Sequence, residues 1–376
     1  MSIAQFATLA GERLPWPDAV TRFAIERMVG RTGRRLAAHP PATDADFAAA
    51  MAAYPVATNV EAANAQHYEL PAAFFGLVLG PQRKYSCCLY EDGARTLAEA
   101  EEHALAATAR HAGIADGQRI LELGCGWGSL SLWMAARYPA ATITAVSNSH
   151  SQRAFITGEA QRRGFANLTV VTADMNTFAP AGRFDRIVSV EMFEHMANWR
   201  PLLARLREAL APDGRLFLHV FSHAATPYRF EAGNRADWIA RHFFTGGIMP
   251  SHGLIGQFGD LFAIEESWRW SGRNYQRTAD DWLANLDRQT DAVAALMTAT
   301  YARDARLWQR RWRLFFLATA GLFGHGSGEP WGISHYRLAP SRREGKGTTR
   351  RSPAPRNTPP RQLPPSRPRH RRYRGS

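Results

Sequence analysis

The stretch Arg119-Ile-Leu-Glu-Leu-Gly-Cys-Gly-Trp-Gly128 decides the fold of this 376-residue chain. An apolar strand runs into glycines at 124, 126 and 128, and an amphipathic segment follows. Glycines at such a turn let backbone N–H groups approach a ligand, and the helix that starts there presents its positive end. Working outward, the apolar runs Arg119–Gly124, Thr142–Ser147, Leu168–Asp174, Phe184–Glu191 and Arg215–Phe221 read as strands. Helical spacing fills the gaps near 128–138, 150–163 and 199–210. Strands alternating with helices predict an α/β fold, a doubly wound parallel sheet.

The flanks differ in grain. Residues 1–84 read as a helical cap, with apolar residues at helical spacing over Ala19–Leu36 and Asp44–Tyr54 and a break at Pro40-Pro41. After an aromatic segment around Trp268 and Trp270, helical patterns return at 278–302 and 304–323, and a last strand fits Ile333–Leu338. The predicted organisation is therefore a cap at 1–84, a ligand-binding core at 85–224, and an insertion with C-terminal helices and last strand at 225–340. A tail at 341–376 completes it. That tail holds twelve Lys/Arg, seven prolines and a single acidic residue, Glu344, and it lacks the apolar content to fold.

The tail also explains the charge. The whole chain carries +13, yet 34 basic and 32 acidic residues remain once the tail is set aside, a net of +2. A nearly neutral body suits a small-molecule enzyme, and no specific nucleic-acid partner is expected. Three cysteines (Cys87, Cys88, Cys125) are too few and too badly spaced for a disulfide framework, which points to a reducing, cytoplasmic setting. No Cys-x-x-Cys or paired-His spacing suggests a metal. The N-terminus does not read as a secretory signal, and the longest apolar run, Leu314–Phe323, is too short to span a bilayer.

The glycine loop suits an adenine dinucleotide or S-adenosylmethionine, and two details choose between them. A dinucleotide fingerprint wants its third glycine at position 129, which is Ser129, and an acidic residue closing the second strand, where Ser147 and Asn148 stand. Glu122 with the Gly-x-Gly-x-Gly spacing resembles the first motif of class I methyltransferases. In that fold Asp174, ending the third strand, meets the adenine amino group, unless it serves only as a helix cap. Ser147, Asn148 and Gln152 lie where the ribose hydroxyls would be.

Several further motifs carry a family resemblance. Tyr85-Ser-Cys-Cys88, the loop at 122–128, Ser147-Asn-Ser-His-Ser-Gln152 and Glu191-Met-Phe-Glu-His-Met196 together resemble the cyclopropane fatty-acyl-phospholipid synthase superfamily. Within it, His219-Val-Phe-Ser-His223, Phe243-Phe-Thr-Gly-Gly-Ile-Met-Pro-Ser251 and Gly328-Glu-Pro-Trp-Gly-Ile-Ser-His-Tyr336 are more similar to the coclaurine N-methyltransferase branch. The resemblance runs from about Leu14 to Leu338. It implies a Rossmann-like class I methyltransferase core with an N-terminal helical cap and a helical acceptor-side insertion. It implies S-adenosylmethionine as cofactor, held by Tyr85, Ser86, Glu122, Gly124, Cys125, Gly126, Gly128, Ser147, Asn148, Gln152, Asp174 and Met175. It assigns acceptor chemistry to Glu191, Glu194 and His195. In the lipid synthases a bicarbonate ion is held at positions that correspond to Cys87, Glu194, His219 and Tyr275, and Phe221 replaces an isoleucine there.

Methyl transfer from a sulfonium is an in-line displacement in which alignment supplies roughly 7–11 kcal/mol. An amine acceptor must be neutral to attack, so a carboxylate or imidazole has a role in taking its proton. Trp199, Trp268, Trp270, Tyr275 and Phe244 are candidates for an aromatic acceptor wall. The expected activity is methylation of an amine nitrogen, with methyl or methylene transfer to an unsaturated acyl chain as the alternative. Bicarbonate belongs only to the alternative, and peripheral membrane contact would go with it. The chain is expected to be a monomer or homodimer.

Overall fold

The computed structural model describes residues 12, 16–58, 70–230 and 238–342, so the expected tail lies outside the described residues except for Ser341 and Arg342. The residues before position 84 contribute α1 (Asp18–Ala38), α2 (Asp44–Met51) and α3 (Ala72–Val78). Next comes α4 (Leu97–Ala112), which the sequence reading did not single out. It starts at a capping box, Thr96 with Glu99, and ends at Gly113 with φ +65°.

Five parallel strands follow in the expected places: β1 (Arg119–Leu123), β2 (Thr142–Ser147), β3 (Leu168–Thr172), β4 (Phe184–Val190) and β5 (Leu210–His223). Between them run α5 (Ser129–Arg137), α6 (His150–Arg163) and α7 (Trp199–Ala209). A short pair, β6 (Tyr228–Arg229) and β7 (Ile248–Met249), brackets α8 (Trp238–His242). The chain then forms β8 (Phe262–Ser271), α9 (Gly272–Arg288), α10 (Thr290–Tyr301), α11 (Ala305–Gly324) and β9 (Trp331–Pro340).

The sheet order is β3-β2-β1-β4-β5-β9-β8, with β9 antiparallel to both β5 and β8. Strands buried on both faces alternate between two cores. Ile120, Ile143, Val188 and Phe217 pack with Leu105 of α4 and Met134 of α5. Leu121, Val146, Ile187 and Leu218 pack with Leu202 and Leu206 of α7. A third, aromatic-rich core joins α3, α9 and α11 to the segment around Cys88.

Two segments are more definite in the structure than in the sequence. The segment around Trp268 and Trp270 is a strand, β8, half of whose residues are exposed and which, among the described residues, pairs only with β9. The helical pattern at 278–302 is two helices: α9 begins at the Ser271 cap, and the chain turns at Gln289 before α10. Among the described residues no helix is long and apolar enough to cross a membrane.

The sheet's strand order reverses between β1 and β4, which lie side by side. In open α/β sheets ligands bind outside the carboxyl ends of the strands at such a point. The loops that leave these two strands carry Gly124–Gly128 and Glu191–His195.

Candidate functional site

The loop after β1 hangs on the end of β2, where the N–H groups of Gly124 and Cys125 both donate to the Val146 carbonyl, at 2.9 and 3.0 Å. All three glycines have positive φ, but their surroundings differ. A Cβ on Gly124 would meet the Met192 side chain at 2.6 Å, and one on Gly128 would meet Ile156 at 2.8 Å. Those two allow close packing, a gain the sequence did not reveal. A Cβ on Gly126 would meet no atom of the described residues within 4 Å. That bare face opens onto two adjoining cavities.

The first cavity, of about 210 Å³, takes Tyr85, Ser86, Glu122, Gly124, Cys125 and Gly126 from the expected cofactor set, with Glu191, His195 and Tyr275. The second, of about 90 Å³, takes Ser147, Asn148, Asp174 and Met175. Gly124, Gly126, Gln152, Met192 and His195 line both. Gly128 lines neither and instead forms the left-handed start of α5. In the second cavity the Ser147 hydroxyl donates to Gln152 Oε1 at 2.6 Å. Asp174 is exposed, and its Oδ1 also accepts the Asn176 N–H at 2.9 Å, so it caps a turn while facing the cavity.

Glu122 is fully buried, and the Ser131 hydroxyl donates to its Oε2. Burial outweighs that bond and raises its pKa to about 7.

On the other side of the switch point, Glu191 has φ +47°. Its Oε1 accepts the Cys87 N–H at 2.9 Å and faces His219 Nε2 at 3.2 Å, while its Oε2 accepts the Tyr275 hydroxyl at 2.7 Å. Burial raises the pKa of Glu191 against the opposing pull of Lys84, the Cys87 N–H and the Tyr275 hydroxyl. Burial and then the Glu191 charge push the Tyr275 hydroxyl well above its ordinary range. Lys84 was missed by the sequence reading. It is buried, and its ammonium donates to Ser86 Oγ at 2.5 Å and to the Cys87 carbonyl at 2.7 Å. Its position beside Tyr85-Ser-Cys-Cys88 was the available sign.

Glu194 is wholly buried. Its Oε1 accepts the Phe221 N–H at 2.6 Å, while Oε2 has no hydrogen-bond partner among the described residues. Burial and the neighbouring Glu191 charge raise its pKa strongly. His195 faces both cavities, its ring 4.3 Å from that of Phe244. The Cys87 thiol does not line either cavity, and its Sγ lies 3.3 Å from the Cys88 carbonyl. Burial holds that thiol protonated.

Two of the five expected aromatics, Phe244 and Tyr275, belong to the cavity wall, and the three tryptophans do not. Phe221, Phe244, Tyr275, Trp282 and Phe323 line the first cavity. Trp199 is core, donating to the Phe193 carbonyl at 2.8 Å. Trp268 stacks on His111, and Trp270 packs on His335, both away from the cavity because β8 is the outer strand.

The bicarbonate set does not fit a separate ion. The Glu191 carboxylate already receives the Cys87 N–H and the Tyr275 hydroxyl, with His219 Nε2 alongside. It holds the donors that a bound anion would need.

This sheet order, with a glycine loop at its switch point and a pair of cavities meeting there, defines a class I S-adenosylmethionine-dependent methyltransferase. The chain belongs to the mycolic acid cyclopropane synthetase family, whose model matches residues 57–329. It is 36% identical to (S)-coclaurine N-methyltransferase of Thalictrum flavum subsp. glaucum over 74% of this chain and 79% of that one. It is 28% identical to cyclopropane-fatty-acyl-phospholipid synthase of Escherichia coli K12 over 65% of each. A crystal structure of coclaurine N-methyltransferase bound to N-methylheliamine and SAH matches with a TM-score of 0.83 at 32% identity, covering 90% of this chain and 99% of that one.

Proposed function

We propose that this enzyme methylates the nitrogen of a small amine that carries an aromatic ring. The observation that carries the reading is the first cavity, where His195 and Glu191 face an aromatic wall of Phe221, Phe244 and Tyr275 beside the glycine loop. S-adenosylmethionine, when bound, supplies an electrophilic methyl group on a sulfonium. The bare face of Gly126 suits a ligand bridging the two cavities, with Ser147, Asn148, Gln152 and Asp174 as candidates for its polar contacts in the second. Aromatic faces stabilise a developing ammonium by about 0.5–2 kcal/mol each. His195 and Glu191 are the cavity-facing groups for the acceptor's proton, and Glu194 holds the Phe221 backbone behind them.

The likeness to coclaurine-type enzymes supports an amine over an alkene. So does Glu191, which takes up the anion-binding donors itself. The test is a product screen with methyl-labelled S-adenosylmethionine against benzylic and cyclic secondary amines and against monounsaturated phospholipid vesicles. Label in an N-methyl product is the expected result. Label only in the lipid would overturn the reading.

A further inference from the structure

Three histidines stand in file behind Glu191. His219, on β5, is fully buried, with Nε2 3.2 Å from Glu191 Oε1 and Nδ1 2.8 Å from Nε2 of His335 on β9. The two residues face each other in the antiparallel register. His335 is fully buried too, and its Nδ1 lies 2.9 Å from Nδ1 of His111, in the last turn of α4. His111 is half-buried and stacked on Trp268, ring centroids 4.0 Å apart. Three nitrogen contacts therefore connect a carboxylate in the cavity with an imidazole at the protein surface.

Burial holds His219 and His335 neutral, with pKa values well below the ordinary imidazole range. A neutral imidazole has one N–H and one bare nitrogen, so a file of them can point its N–H groups only all inward or all outward. Phe217 and Trp270 wall the middle of the file. Lys84, Cys87 and Tyr275 face the Glu191 end, and Arg110, Arg337, Glu266 and Asp92 face the His111 end.

We propose that Glu191, His219, His335 and His111 form the proton exit of the methyl-transfer reaction. A neutral acceptor with an N–H that gains a methyl cation equivalent and ends neutral loses one proton. The acceptor's N–H bond breaks and an O–H bond forms on Glu191 Oε1. That proton then moves to His219 Nε2 as His219 passes its Nδ1 proton to His335 Nε2. His335 passes its Nδ1 proton to His111 Nδ1, and His111 releases its Nε2 proton to water. One proton leaves in the reaction, no electrons move, and each ring is left as its other neutral tautomer. After product release the reverse relay, ending in loss of the Glu191 proton to water in the vacated cavity, restores the file for the next turnover. The inference rests on the methyltransferase reading and not on the amine, because alkylating an alkene with ring closure also expels one proton.

The test uses the full chain and whichever of the two acceptor classes the wild type methylates. His335→Gln and His111→Phe should lower kcat about tenfold or more at neutral pH while leaving S-adenosylmethionine affinity within about twofold. His111→Phe keeps a flat ring on Trp268 and guards against a folding defect in His335→Gln. His111→Ala should be slow and should recover with added imidazole, which a merely structural role for His111 would not produce. Wild-type kcat in the His111 variants, or a loss in His111→Ala that imidazole does not relieve, would overturn the proposal. A readout without acceptor is the 15N spectrum of the free protein. His219 and His335 should each show one neutral tautomer near pH 7, and charged rings there would also overturn it.

Discussion

The backbone N–H of Cys87 donates to Oε1 of Glu191 at 2.9 Å across 104 positions of sequence. The segment Tyr85–Cys88 thus serves the site through its main chain at Cys87, while the thiol turns to the Cys88 carbonyl.

Cys87→Ala should therefore leave turnover within about threefold of wild type, since the donated N–H survives the change. Its cost should fall on stability, about 1 kcal/mol for a small buried group, read from chemical denaturation. A loss of turnover of a hundredfold with the fold intact would assign the thiol a chemical role.

Gly126→Val places a branched side chain in the space where the two cavities meet, on a residue with φ +52°. The strain should cost roughly 1–2 kcal/mol of stability. Calorimetric titration should show S-adenosylmethionine binding lost while circular dichroism keeps the fold. Wild-type affinity would remove the ligand from this loop.

Asp174→Asn should keep the turn through its remaining carbonyl oxygen and lose the carboxylate that faces the second cavity. Affinity for S-adenosylmethionine should fall by about 1–3 kcal/mol, the cost of one charged hydrogen bond. Equal affinity in the two proteins would leave Asp174 with the turn alone.

Glu122 makes a prediction in pH. Its folded pKa, about 7, lies above the ordinary carboxylate value, so the folded state binds its proton more tightly than the unfolded chain. Stability from this group is full below about pH 4.5 and falls as pH rises to 7, by about 3 kcal/mol. Glu122→Gln removes that loss. Denaturation of the ligand-free protein should find the variant more stable than wild type at pH 8 and equal to it near pH 4. A difference that does not change with pH would show that ionisation of Glu122 is not its cause.

Glu191→Gln keeps an oxygen for the Cys87 N–H and removes the charge that faces the first cavity. Methyl transfer should slow by about 10²–10⁴-fold with S-adenosylmethionine affinity nearly unchanged. With an amine acceptor the defect should shrink as pH rises toward the amine's own pKa, because solvent then supplies the neutral nucleophile. A defect equally deep at every pH, measured as kcat, would contradict a role in the acceptor's protonation.

The parallel half of the sheet was legible because its strands are continuous apolar runs closed by turn residues, as at Arg119–Gly124. Strand β8 was not. It carries Glu265, Glu266 and Arg269 on a half-exposed edge, so neither alternation nor an apolar run marks it. The motif residues were findable one by one, but their partners were not. Lys84 reads as a surface cation, and His335 reaches His219 only because β9 enters the sheet beside β5. Trp268 and Trp270 looked like pocket residues for the same reason, since which face an aromatic serves depends on pairings far away in the chain.

Strand β9 is nearly the last described segment, yet it lies inside the sheet, between β5 and β8. During synthesis on the ribosome, β5 emerges with one edge bare and waits for roughly a hundred further residues before its neighbour exists. An unpaired strand edge is a template for wrong association. The nascent enzyme is thus most exposed to aggregation while α9, α10 and α11 are being made. Any premature stop before Trp331 should yield a chain that chaperones retain or proteases remove, instead of a weak enzyme.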